Sequence, residues 1–458
     1  MMMQLVNRNR WLPILAAVLF LAIVIVMADS VRTSPYAHYL ERVEKTVDHD
    51  ALERQIASAP ENDNAAALLL QAISLLDESS PEENNVLIER DSGMINRIAP
   101  GEPVPEALRQ VLTDYVSRWA GVIPLIHEGV RRTGFHVDVS FEFGNYRDIM
   151  AASVRNKRFR WLSGVLRFEG LDAIARGDEG RLETCLESAL RLPLLLSLEP
   201  RHFYAIAEFF ASDAFFLLEH ALSRNILSRN ALERYQLLLE APFYASLSVI
   251  RRAYAYALAD RREWQLAKGF LCDDGDLDFY FATMWLLFHA GTMETQERLF
   301  YDFLLADAIC LQEPEDIGKA FKEVSALVNA YSQDRLDLRS SDNLFNVYGQ
   351  ARLDYWSYSM LFDAALSQFE IFAQAATARM AVAAARFRLD HQRLPDTPEE
   401  LIPDYLDEIP RDPLQQALPL GYHHEPDCVI VESKGYAILD PLTEAKIVDK
   451  SIRFTIMK

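Results

Sequence analysis

Clustered basic charge, paired cysteines and catalytic signature motifs are all scarce in this chain, and each scarcity removes a class of function. Across 458 residues, 46 Lys and Arg face 67 Asp and Glu, a formal charge of −21 with a pI near 5.0. Phosphate binding needs grouped Lys and Arg, so the composition argues against nucleic acid as a partner. The four cysteines, Cys185, Cys272, Cys310 and Cys428, are scattered, with no C-x-x-C and no histidine at ligand spacing. Four thiols allow three full pairings in an oxidising compartment. Cys185 and Cys310 sit among apolar residues, however, and read as small buried hydrophobes.

Catalytic motifs are missing as well. No G-x-S-x-G elbow, H-E-x-x-H or G-x-G-x-x-G occurs. Gly318-Lys319 is followed by Ala320 and lacks the upstream glycine of a phosphate loop. Asp274, Asp276 and Asp278 match the first three ligand positions of a calcium loop. Phe279 then stands where glycine is needed and Trp285 where the bidentate Glu is needed, so the stretch reads as a solvated acidic turn. His423 and His424 are adjacent on an expected strand and point to opposite faces. No catalytic, cofactor or metal residue is assigned on these grounds.

What is present begins with an uncharged apolar run over residues 11–28. As a helix it is about 27 Å long, close to the hydrocarbon thickness of a bilayer. Arg8 and Arg10 precede it, while Asp29 and Arg32 roughly cancel after it. The positive-inside bias therefore places residues 1–10 in the cytoplasm as a short tail and the rest outside, with 11–28 as a single-pass anchor in a bacterial cytoplasmic membrane. A cleaved signal peptide ending at Val26-Met27-Ala28 is the rival reading, though the apolar run exceeds a typical signal core.

Residues 29–391 form the expected extracytoplasmic helical domain. An amphipathic helix over 36–58 leaves the membrane, and a second covers 65–76. One helix is predicted over 105–132, kinked at Pro124. Residues 135–143 alternate apolar and polar with a period of two and predict an extended segment. Helix pairs follow at 146–176 with 180–196, where Gly177 suits a left-handed C-cap and Asp178 an N-cap. Further pairs are expected at 202–224 with 229–240, 243–268 with 277–290, and 292–311 with 315–333, before a long helix over 344–391. Short turns between antiparallel helices predict a mainly α fold with an α-solenoid-like array.

Two constellations could carry function within that body. Arg155, Lys157, Arg158 and Arg160, interleaved with Phe159 and Trp161, could meet an anionic partner or lipid headgroups. The plainer reading is a helix face paired with carboxylates. His202, Glu208 and His220 lie in an aromatic-rich helix, with Glu219 on the Glu208 stripe, and would have to converge with other helices to make a hydrolase-like site.

Residues 392–458 are a proline-rich strap and a small antiparallel β element. Thr397, Pro398 and Glu400 form a helix start with a capping box. Strands are expected over 418–424 and 428–432, with a third within 447–457. The order Leu394-Pro395, Leu401, Tyr405-Leu406, Pro410-Arg411-Asp412-Pro413, Pro419, Tyr422 and Ser433-Lys434-Gly435 resembles the C-terminal half of type II secretion major pseudopilins. The resemblance covers residues 386–435 and implies a long helix closed against a small sheet. The anchor lacks that family's cleavage glycine and Glu, and its Asp-Gly-rich calcium loop is absent after Gly435, so no calcium ligand carries over. The overall plan is similar to membrane-anchored helical bacterial proteins that end in the same strap. Together these readings predict a membrane-anchored, non-catalytic interaction or scaffold protein with a protein partner. A converging-helix enzyme and an accessory subunit of a secretion or pilus-like machine are the alternatives.

Overall fold

The computed structural model describes residues 63–78, 95–135, 146–197, 207–241, 359–415, 418–435 and 451–458, with short pieces at 244, 317, 319–322, 325–326, 438–439 and 446–447. The anchor at 11–28, the helix at 36–58, most of the alternating stretch at 135–143, the helices over 245–316 and the acidic turn at 274–278 lie outside the described residues. Among the described residues, no helix is long and apolar enough to cross a membrane.

The described chain is mainly helical. It runs α1 (Ala66–Glu78), α2 (Glu106–Arg118), α3 (Ile123–Gly129), α4 (Tyr146–Arg176), α5 (Glu179–Leu196), α6 (Ala207–Ser223), α7 (Arg229–Leu239) and α8 (Ser359–His391). A 3-10 turn (Pro398–Leu401) then leads to β1 (Gly421–His424), β2 (Cys428–Ser433), β3 (Ile438–Leu439), β4 (Lys446–Ile447) and β5 (Ile452–Met457). The single kinked helix expected over 105–132 is two helices. α2 ends at Arg118, and Pro124 sits in the first turn of α3, where a missing N–H costs nothing. Proline here starts a helix instead of bending one.

The α4–α5 turn follows the sequence closely. Gly177 takes φ +66°, and the Asp178 side chain accepts the Arg181 N–H at 3.2 Å. Between α6 and α7, Asn225 supplies the left-handed residue at φ 52°, and Ser228 accepts the Ala231 N–H at 3.2 Å. α4, α5 and α6 pack against one another, and α8 packs against α6 and α7 and also against β2 and β5. Gly170 allows the α4–α6 approach, because a Cβ there would stand 2.8 Å from a Leu217 methyl.

β1, β2 and β5 form a three-stranded antiparallel sheet in that order. Val429, Val431, Phe454 and Ile456 are buried, and they join one continuous core that also includes Leu166, Leu217 and Val382. Each such side chain contributes about 1.5–3 kcal/mol on burial. The sheet is thus part of the helical body's core.

Candidate functional site

A buried polar cluster lies where α2, α3, α4 and α5 meet. Glu169 and Asp172, one turn apart on α4, both face the first turn of α5. Their side chains are 4% and 3% exposed, so each needs a cation beside it. Arg181 serves both, with Nε 3.1 Å from Glu169 and Nη1 2.8 Å from Asp172. Arg176 Nε donates to both Asp172 oxygens at 3.0 Å, and Thr113 Oγ1 donates to Asp172 at 3.2 Å. Burial disfavours the Arg181 charge, but hydrogen bonds and attraction from Asp172 and Glu169 outweigh it and hold that guanidinium above its ordinary pKa.

His127 of α3 closes the cluster on its other side. Its Nδ1 lies 2.7 Å from Ser188 Oγ, and its Nε2 lies 3.0 Å from Glu169 Oε2. The second contact has ion-pair distance but not hydrogen-bond alignment, since Glu169 Oε2 has no hydrogen-bond partner among the described residues. Ser, His and Glu in a row resemble a nucleophile relay, yet the proton count points elsewhere. Ser188 Oγ donates to the Thr184 carbonyl at 2.9 Å, so its one proton is spent and it accepts from His127. The surrounding α5 amides are consumed inside the helix and offer no oxyanion donors. Cys185 belongs to the same cluster. Burial pushes its thiol well above the ordinary value, with the Glu169 charge adding to the shift, which makes it an inert core residue.

Ser188 also floors a cleft rimmed by Arg131, Glu183, Glu187, Arg191 and Arg234. Four of the rim charges pair with one another, at 2.9 Å for Arg191–Glu187 and 3.3 Å for Arg234–Glu183.

The other sequence candidates disperse. His220 is buried, its ring 4.4 Å from that of Phe216. Burial, then the Arg167 and Arg224 charges, push it down to about 4. His202 and the Glu208 side chain lie outside the described residues. Glu219 accepts the Thr455 N–H of β5 at 2.6 Å. In the basic stretch, Phe159 and Trp161 are core residues, Arg160 is exposed, and the Arg155 and Lys157 side chains lie outside the described residues. His423 faces Glu432 at 3.4 Å while His424 contacts the Pro395 carbonyl at 2.8 Å, the divergence expected of neighbours on a strand. Among the described residues no group of His, Cys, Asp and Glu could hold a metal ion.

Sequence reasoning missed the Glu169–Asp172–Arg181 cluster and the node at Asp412. Asp412 is 1% exposed and accepts from Leu414 N at 2.9 Å, Ser433 Oγ at 2.8 Å and Lys434 N at 3.0 Å. The i, i+3 carboxylates followed by an Arg in the next first turn were a readable signal for the first. Against known proteins, no family, curated relative or solved structure matches the chain.

Proposed function

We propose that this is a single-pass protein, anchored through residues 11–28, whose helical-pair body lies outside the cytoplasm and serves as a scaffold for a protein partner. One observation carries the reading. In the polar cluster the buried carboxylates Glu169 and Asp172 are paired with Arg181, and Asp172 also with Arg176, while the Ser188 proton goes to the Thr184 carbonyl and leaves no activated nucleophile. Such a cluster fixes how helices cross, as a presenting surface requires. The paired helices fit a helical-pair array.

Crosslinking in intact membranes, followed by purification of the full chain, tests the reading. Recovery of one specific polypeptide at stoichiometric yield is expected. Recovery of the monomer alone at every crosslinker length overturns it. The anchor is tested separately by alkaline extraction, where the chain stays with the membrane; a mature protein starting at Asp29 would refute it.

A second reading, an accessory subunit of a secretion or pilus-like machine, is favoured by the meeting of Pro410-Arg411-Asp412-Pro413 with Ser433-Lys434-Gly435 at one buried carboxylate. Deletion should then abolish secretion; intact secretion and pilus assembly remove the idea. The enzyme reading through His202, Glu208 and His220 is the weakest, because His220 is packed against Phe216 and its neighbour Glu219 is occupied by β5.

A further inference from the structure

The cleft floored by Ser188 is walled by the residues that follow α3, by α5 and by α7, and its charges do not balance. Arg131, Arg191 and Arg234 stand against Glu183 and Glu187, a local positive excess in a chain of net charge −21. Both carboxylates are already engaged. Glu183 accepts the Ser228 N–H and hydroxyl at 3.2 and 2.5 Å and Arg234 Nη2 at 3.3 Å. Glu187 accepts Arg191 Nε at 2.9 Å. The hydroxyls on the wall are engaged too, Thr184 with the Gly180 carbonyl at 3.0 Å and Ser188 with that of Thr184 at 2.9 Å.

What the cleft still offers, among the described residues, is guanidinium N–H. Both Nη atoms of Arg191 and Nη1 of Arg234 carry no hydrogen bond there, and the exposed Arg131 side chain makes no ion pair. Such forks match a carboxylate by two parallel bonds. The cavity holds about 90 Å³, far below the roughly 300 Å³ or more of a small-molecule pocket, so it suits the head of one side chain. Leu237, one turn from Arg234 on the same face of α7, is 69% exposed.

We propose that this cleft is where a protein partner docks, and that it takes an acidic side chain flanked by an apolar one. The carboxylate sits among Arg131, Arg191 and Arg234, and the apolar side chain lies on Leu237. A chain this acidic repels an acidic segment over most of its surface, so the cleft fixes where such a segment lands. The inference rests on the scaffold reading and gives its partner a chemistry.

A photo-crosslinking residue at Leu237 of the full chain, in intact membranes, reads the site. The expected adduct is one polypeptide, attached within a peptide that carries Asp, Glu or a chain-terminal carboxylate. Arg131→Glu removes no ion pair among the described residues and should lower the yield on the order of 10-fold, while Arg131→Lys keeps most of it. Raising salt from about 0.05 to 0.5 M should lower the wild-type yield as well. An adduct indifferent to charge reversal and salt, or protein adducts only from probes on other faces, overturns this inference and leaves the scaffold reading standing. A lipid adduct at Leu237 overturns it too, and absence of any adduct from every face overturns both.

Discussion

Asp412 Oδ1 stands 2.8 Å from Ser433 Oγ, in the core, and ties together two segments of the chain 21 residues apart. The other Asp412 oxygen accepts the Lys434 N–H at 3.0 Å. Nearby, Gln415 Nε2 donates to the Gly435 carbonyl at 2.5 Å. The strap is thereby locked to the end of β2. It is also fastened to the helices: Gln236 Nε2 of α7 donates to the Tyr405 carbonyl at 2.6 Å, and the Tyr405 hydroxyl donates to Asp390 of α8 at 2.8 Å.

Asp412→Ala removes the acceptor of three buried donors at once. The expected cost is about 3–5 kcal/mol, since each orphaned donor carries its own desolvation penalty. Asp412→Asn keeps one acceptor oxygen and should cost about half as much. Urea unfolding of the full chain, followed by the fluorescence of its tryptophans, gives both values. A loss under 1 kcal/mol for the alanine variant would contradict the geometry (roughly the worth of one exposed hydrogen bond).

Glu169→Gln leaves Arg181 with Asp172 alone and His127 with Ser188 alone. A buried pair broken from one side costs about 3–5 kcal/mol. If the cluster is structural, this loss appears in stability while the partner crosslink of a folded sample is retained. Loss of partner binding at unchanged stability would make the cluster a recognition site.

Gly177→Ala places a Cβ in the left-handed region at φ +66°, with no heavy atom within 4 Å of it. The cost is purely one of backbone conformation, about 1 kcal/mol. Gly177→Asn should cost less, because Asn visits this region more readily. Equal losses for the two would point to a clash instead, and equilibrium unfolding distinguishes them.

Glu219 and His220 are neighbours with opposite pH linkages. Glu219 is raised to about 7 by burial, so its contribution is present below 4.5 and falls as pH rises through 7. His220 is lowered to about 4 by burial and by Arg167 and Arg224, so its contribution is present above 6.5 and falls as pH drops through 4. Each is worth about 3 kcal/mol across its window. The wild type should change little between pH 4.5 and 6.5. Over that range Glu219→Gln should gain stability with rising pH, and His220→Phe should lose it. Parallel profiles for the two variants would refute the assignment.

The sequence carried the local rules well and the long-range ones poorly. Gly177 and Asp178 were legible because caps and left-handed turns act within four residues. The alternation of Ile452, Phe454 and Ile456 likewise marked a strand, and Phe454 and Ile456 are buried. Pro124 was misread because proline suits a helix's first turn as well as a kink, and the Trp119 C-cap before it has no composition signal. Asp412 and Glu219 were invisible as buried groups, since their environment depends on donors 21 to 236 residues distant. A carboxylate in sequence looks solvated until its partners are placed.

The scaffold reading stands or falls on whether the body touches a partner. A photo-crosslinking residue introduced singly at Arg131, Arg191, Arg234 and Leu237, in intact membranes, reads that contact directly. The expected result is an intermolecular adduct of one size at adjacent positions on the same face and none elsewhere. Absence of any intermolecular adduct at all four positions, with the chain folded and anchored, would contradict the account.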